Sequence, residues 1–311
     1  MRVLITGSSG QIGTNLALAL LERGDEVVGI DLRPNSWTQR IPTVRCDLCA
    51  CPPGELPVEG RFEAVVHLAA HAKVFELVEQ PHRAMENVEM LFRVLEYCRR
   101  QRTPLIFGSS REVYGDIHRH VTDETQADFV VAESPYSASK ISGEAFIYSY
   151  AQCYDLPYLV FRFSNVYGRY DCDIERLERV IPLFIRRIAQ DEPIVVYGRE
   201  KVLDFTYVDD CTDGLVRAID GLVAGRVSQQ TINLAYGQGN TLVDLVNLIA
   251  LALRKQPNVR YEPPRAGEVT RYVADIAKAR QLLGYSPQVP LTAGIPLAIS
   301  WQRQIGVLPP E

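Results

Sequence analysis

The chain has 311 residues, 47% of them hydrophobic and 23% charged, and carries a net charge of −5. That length supports roughly two domains with well-buried cores, and the acidic balance leaves no basic footprint for nucleic acid. The most apolar late stretch, 241–253, is too short to span a bilayer and includes Asp244 and Asn247, which argues against a membrane protein.

The opening MRVLITG runs directly into an apolar strand without the architecture of a signal peptide, so a cytoplasmic protein is expected. QIGTNLALALLERG then reads as an amphipathic helix closed by Gly24. EVVGID is a second strand, TVRCDL a third and EAVVHLAA a fourth. Helical spacing runs from Pro81 to Arg100, PLIFGSS is a fifth strand, a helix spans about 135–154, and PYLVFRF is a sixth strand. Strands this apolar, separated by helices, predict a doubly wound α/β domain with a parallel sheet covered on both faces. Ligands of such a domain sit at the carboxyl ends of its strands. After Asn165 the pattern loosens and Pro and Gly become frequent, which predicts a smaller mixed α/β substrate-binding lobe. The expected division is 1–164 for nucleotide binding, with 202–236 returning to it, and 165–201 plus 237–311 for substrate.

TGSSGQIG sets Gly7, Gly10 and Gly13 between the first strand and the first helix. Glycines there permit a tight turn and let backbone N–H groups and the helix N-terminus approach a pyrophosphate. Gly7, Gly10, Gln11, Ile12 and Gly13 are therefore candidate cofactor contacts. Asp31 ends the next strand, where a carboxylate accepts both adenosine ribose hydroxyls and repels a 2′-phosphate, favouring NAD over NADP. Arg33, two residues on, weakens that preference.

CDLCAC crowds Cys46, Cys49 and Cys51, but no second pair or spaced histidines complete a metal site. No metal is expected. Cysteines 98, 153, 172 and 211 are scattered singly, and unpaired thiols are the expectation.

YSASK places Tyr136 and Lys140 four apart on one helical face. An ammonium beside a phenol favours the phenolate and lowers its pKa from about 10 toward working pH. Such a tyrosine takes a proton from an alcohol while hydride leaves for a nicotinamide.

With these motifs together, the chain resembles the extended short-chain dehydrogenase/reductase proteins, specifically the NAD-dependent nucleotide-sugar epimerase/dehydratase family. The resemblance rests on GSSGQIG, CDL, HLAA, Asn87, SSREVYG, YSASK, RFSNVYG, DFTYVDD and PPRAGE, in that order along nearly the whole chain. It implies a retained NAD and a nucleotide-diphosphate sugar as substrate. It implies adenine contacts at Asp47 and Leu48, and pyrophosphate and ribose contacts at Leu68, Ala69 and Ala70. Further cofactor contacts are implied at Asn87, Ser109, Tyr136 and Lys140. Ser110 is implied to bond the sugar 4-hydroxyl, with Asn165 and Arg265 near the diphosphate and Val180 and Tyr197 in the nucleotide pocket. A homodimer through the helices at 81–100 and 135–154 is implied as well.

The match departs at Leu203, where the family usually has an arginine before the aspartate of RDFTYVDD. Lys201 or Arg199 is a candidate replacement for that phosphate contact, whose loss costs roughly 1.5–3 kcal/mol. Glu112 stands where dehydratases and decarboxylases of the family place a base for the C5 proton. Arg111 replaces the aspartate that protonates the departing hydroxyl in 4,6-dehydratases, and a guanidinium is a poor proton donor. Two alternatives for Arg111 are recognition of a uronate carboxylate and an outward turn that pairs it with Glu112. The leading expectation is a nucleotide-sugar 4-epimerase using Tyr136, Lys140 and Ser110. The alternatives are a dehydratase or decarboxylase with Glu112 as base, and a non-catalytic NAD-binding regulator.

Overall fold

The computed structural model describes residues 1–115, 124, 132–171, 179–265 and 268–309; Cys172 lies outside them. The chain begins β1 (Arg2–Thr6), α1 (Gln11–Glu22), β2 (Glu26–Asp31), β3 (Thr43–Arg45) and β4 (Ala64–His67). A short α2 (Val74–Glu79), absent from the sequence-based elements, precedes α3 (His82–Gln101) and β5 (Leu105–Ser110). Then come α4 (Pro135–Tyr154), β6 (Tyr158–Phe163), β7 (Asn165–Tyr167), α5 (Val180–Ala189), β8 (Ile194–Tyr197), β9 (Val202–Tyr207), α6 (Val208–Val223) and β10 (Gln230–Leu234). The last elements are β11 (Gly239–Thr241), α7 (Leu242–Leu253), β12 (Val259–Glu262), α8 (Ala277–Leu283) and α9 (Leu291–Gln304).

Seven parallel strands form the central sheet in the order β3-β2-β1-β4-β5-β6-β10. Alternation along β1 separates two cores: Val3 and Ile5 pack with Leu16, Leu215 and Ile219 on one face, and Leu4 packs with Leu91, Leu105 and Ile147 on the other. With both faces covered, β5 and β6 are buried along their whole length, which explains their unbroken apolar runs. This is the expected doubly wound α/β architecture. The strand order reverses between β1 and β4, which opens a crevice at their carboxyl ends.

A third core of Tyr167, Ile181, Phe184, Ile194, Phe205, Leu245 and Ile295 underlies a smaller lobe. Its strands form a three-stranded sheet, β11-β9-β7, and the parallel pair β12-β8. The segment 202–236 was expected to return to the nucleotide-binding domain; its first strand, β9, pairs with β7 and β11. The chain rejoins the large unit with α6, whose Leu215 and Ile219 share a core with α1, and then adds β10 beside β6. Among the described residues no helix is long and apolar enough to cross a membrane.

Candidate active site

Register aligns the mouth of the crevice. Thr6 pairs with Ile30 on one side and His67 on the other, so β1, β2 and β4 all release their chains at one height. Gly7 takes φ +76° and donates to the Ile30 carbonyl at 2.8 Å. A Cβ on Gly7 would stand 2.7 Å from Ala69 N, and one on Gly13 only 2.2 Å from Gly7 O. These two glycines let loop, strand end and helix close on one another. Gly10 is different: its nearest neighbour to an added Cβ is at 3.3 Å. The N-terminus of α1 has no side-chain cap, and among the described residues buried Gln11 Nε2 has no hydrogen-bond partner. Ile12 lies on the first turn, against the core. Asp31 accepts from Ser9 N at 2.9 Å and Arg33 N at 3.0 Å, which pins its carboxylate beside the glycine turn. Uncapped amides, a close-packed glycine turn and a fixed carboxylate fit the pyrophosphate and ribose of a dinucleotide.

Asp47 caps a 3-10 turn at 48–50 by accepting from Cys49 N, and Leu48 is buried beneath it. Cys46 and Cys51 flank this turn with sulfurs 3.1 Å apart, and burial pushes the Cys46 thiol up to about 12. Leu68, Ala69 and Ala70 leave β4 directly above Gly7. Asn87 is committed within the protein: it accepts from His71 N and donates to His71 O and Ser139 Oγ, tying that loop to α4.

Ser110, Tyr136 and Lys140 come together. Ser134 and Ser137 form a capping box with Pro135 at the first turn of α4, which fixes where Tyr136 enters. The Ser110 hydroxyl accepts from Glu112 N at 3.2 Å and acts on the Tyr136 phenol. Lys140 is buried and donates to Gly108 O at 2.8 Å. Burial lowers Lys140 to about 8. The expected lowering of the phenol is not seen in the free chain. Burial pushes Tyr136 up to about 12, against the opposing effect of Ser110. Buried His67, below the site, is held neutral by burial and the Lys140 charge, with its acidity near 3. Its Nδ1 bonds Thr6 Oγ1 at 2.6 Å.

Ser109 turns the other way, as alternation along β5 requires. Its hydroxyl donates to Glu144 Oε1 at 2.5 Å, inside a buried pair in which Arg162 grips both Glu144 oxygens at 3.0 and 2.6 Å. The side chain expected at the cofactor is thus committed to the interior.

Arg111 does not turn outward. Its Nη2 meets Glu112 Oε1 at 2.9 Å, with the two side chains 13% and 5% exposed. Burial raises the Glu112 carboxyl above its usual range, against the pull of Arg111. Among the described residues, Arg111 Nη1 and Glu112 Oε2 complete no hydrogen bond. Both residues act electrostatically on the Tyr136 phenol, as does Arg179. Arg179 had no signal in the sequence. It binds Gln11 Oε1 at 2.7 Å and Asp171 at 3.2 Å, joining the smaller lobe to the glycine loop.

In the smaller lobe the Arg265 guanidinium lies 4.1 Å from the Tyr197 ring and 5.2 Å from that of Phe75 on α2. Asn165 donates to the Asp204 carbonyl, and Val180 opens α5. Leu203 is buried in the third core. Neither proposed substitute for an arginine there is free: Lys201 is buried against Glu268 at 2.5 Å, and Arg199 stacks on Tyr261.

A model of the NAD dependent epimerase/dehydratase family matches residues 3–235. The UDP-glucose 4-epimerase of Mycolicibacterium smegmatis is 31% identical over 317 residues, covering 97% of this chain and 99% of that protein. The structure of Thermotoga maritima UDP-glucose 4-epimerase with UDP-glucose matches with a TM-score of 0.89 at 28% identity, covering 98% and 99% of the two chains. The UDP-glucuronic acid 4-epimerase of Bacillus cereus, in complex with UDP-glucuronic acid and NAD, matches with a TM-score of 0.87 at 26% identity, covering 98% and 100%.

Proposed function

The chain belongs to the NAD-dependent epimerase/dehydratase family, and from that premise we propose that it is a UDP-sugar 4-epimerase in which Tyr136 and Ser110 handle the proton of the sugar 4-hydroxyl. The observation that carries this reading is the juxtaposition of Ser110, Tyr136 and Lys140 at the mouth of the glycine-loop crevice, with Lys140 Nζ 5.8 Å from the centre of the Tyr136 ring. NAD, when bound, supplies a reversible hydride acceptor for C4 of the sugar.

Gly7, Gly10, Gln11, Ile12 and Gly13 would hold its pyrophosphate, Asp31 the adenosine ribose, and Asp47 and Leu48 the adenine side. Leu68, Ala69 and Ala70 would line its path, with Asn87 and Ser109 acting indirectly by fixing the loop and strand around it. Ser110 positions the 4-hydroxyl against Tyr136, whose oxygen accepts the proton and later returns it. Lys140 supplies positive charge beneath the ring, and a positive group arriving above it lowers the phenol further. Arg265, Tyr197, Val180 and Asn165 would receive the nucleotide diphosphate, with the guanidinium leaving its place on Tyr197 to bind phosphate. The same reading carries a homodimer through α3 and α4, which expose Met85, Phe92, Phe146 and Tyr148, and a cytoplasmic setting.

A second reading, a uronate decarboxylase or a dehydratase, draws on Glu112, whose raised carboxyl suits a base. Incubation with UDP-glucose, UDP-N-acetylglucosamine and UDP-glucuronate separates the two. A new retention time at unchanged mass supports epimerisation, whereas loss of water or carbon dioxide establishes the lyase and rejects the first reading.

A further inference from the structure

We propose that Arg179, at the head of α5, is a second positive contact for the diphosphate of the nucleotide sugar, alongside Arg265. The inference rests on the nucleotide-sugar part of the reading above and adds a binding residue to it.

The first support is the supply of charge. The diphosphate of a sugar nucleotide carries two negative charges, and taking them out of water requires cations or donors in return. Most cations around the cleft already have partners. Lys201 meets Glu268, Arg111 meets Glu112, and Arg199 lies over the Tyr261 ring. Leu203, buried in the third core, brings no charge. Arg265 on Tyr197 answers one charge of the two.

The second support is the geometry of Arg179. It directly precedes α5, whose first turn has no side-chain cap, and its own side chain is 35% exposed, open to a ligand. Nη1 donates to Gln11 Oε1 at 2.7 Å and to the Val166 carbonyl at 3.4 Å. Those are its hydrogen bonds among the described residues, so Nε and Nη2 of the fork remain. Nη1 also stands 3.2 Å from Asp171 Oδ1, yet neither Asp171 oxygen completes a hydrogen bond among the described residues. Burial pushes the Asp171 carboxyl up to about 7, against the pull of Arg179, which makes it a weak rival to a phosphate.

The third is the neighbour it binds. Gln11 is 6% exposed; its oxygen takes the Arg179 bond, while its Nε2 has no partner among the described residues. A guanidinium and an amide N–H side by side are both donors, and only an acceptor satisfies them. Phosphate oxygens accept without donating, and a guanidinium grips them two at a time. Position agrees. Arg179 precedes Val180, touches the residue after Asn165, and acts on the Tyr136 phenol. That is the span between the reacting sugar and the nucleotide pocket.

The test compares two diphosphates. The unmodified protein and Arg179→Met, saturated with NAD, are titrated calorimetrically with UDP; stripped of nucleotide, both are titrated with NADH by fluorescence. Arg179→Met is expected to bind UDP at least about tenfold more weakly and NADH within about threefold of the parent. Unchanged UDP affinity would overturn the proposal. Equal weakening of UDP and NADH would also overturn it, leaving Arg179 a latch between the lobes. Weakening of NADH alone would assign Arg179 to the cofactor pyrophosphate and overturn it too. Asp171→Asn removes the carboxylate facing the same guanidinium and is expected to keep or tighten UDP binding. A loss of about tenfold there would equally overturn the proposal, and this variant carries the test should Arg179→Met fail to fold. Failure of the 4-epimerase reading shows separately, as no epimerised product from an unmodified enzyme that still binds UDP.

Discussion

Lys140 Nζ stands 5.8 Å from the centre of the Tyr136 ring while it donates to the Gly108 carbonyl at 2.8 Å. The ammonium is thus anchored to the main chain of β5 beside the phenol ring. A Tyr136 raised to about 12 in the free protein is neutral at ordinary pH. Its folded value exceeds the unfolded value of about 10, so the associated stability is full below that pH and is lost as pH rises toward 12. Phenolate absorbance, as the difference between the unmodified protein and Tyr136→Phe, should appear only near pH 12 without NAD. It should move down by at least about one unit when NAD is added. An unmoved titration would remove the positive ring from the activation of this tyrosine. Turnover by Tyr136→Phe should fall by about 10²–10⁴-fold.

The glycines of the first loop separate fold from ligand. Gly13→Ala forces a Cβ to 2.2 Å from a backbone oxygen, so both melting temperature and NAD retention should drop. Gly10→Ala meets nothing closer than 3.3 Å and should melt within a few degrees of the parent, yet bind NAD more weakly. Thermal melts beside fluorescence titration with NADH give the comparison. Equal loss of stability in both variants would argue against an open ligand side at Gly10.

Asp31, pinned by Ser9 N and Arg33 N, carries the cofactor preference. Asp31→Ser removes the charge that repels a 2′-phosphate, so the NAD-to-NADP affinity ratio should fall by at least about tenfold. An unchanged ratio in equilibrium dialysis would place the discrimination elsewhere.

Removing one partner from the Glu144–Arg162 pair should be severe, because both side chains are almost wholly enclosed, at 5% and 3% exposure. Arg162→Met leaves Glu144 charged and unpaired, and denaturant unfolding should show a loss of about 3–5 kcal/mol. The double change to apolar residues of similar size should recover part of it. A single variant as stable as the parent would show that the pair is better solvated than its burial indicates.

What could be read from the chain beforehand follows a physical line. β1, its glycine turn, α1 and Asp31 were legible because backbone geometry restricts the residues allowed there. Tyr136 and Lys140 were legible because helical spacing alone puts them on one face. Partner choice was not. Lys201 finds Glu268 across 67 positions, and Arg179 reaches Gln11 across 168. No periodicity encodes such meetings. Ser109 and Ser110 show the same limit at close range: adjacent and alike, they face opposite ways, one to Glu144 and one to Tyr136. β9, expected with the nucleotide-binding domain, pairs in the smaller lobe, and a strand followed by a helix looks alike in either lobe.

The seventh strand of the central sheet is β10, at residues 230–234, paired to β6 at 158–163. During synthesis, a nascent chain that has emerged only through β6 presents that strand's apolar edge with its ladder groups unmatched. It must wait for β7, α5, β8, β9 and α6 to follow before β10 arrives. Unpaired edges of this kind recruit other chains, and long-range parallel pairing forms slowly. The protein's vulnerable moment on the ribosome therefore falls between these two strands, when α6 and β10 have yet to cover β6. Faster elongation through that interval, or a chaperone holding it, shortens or shields that exposure.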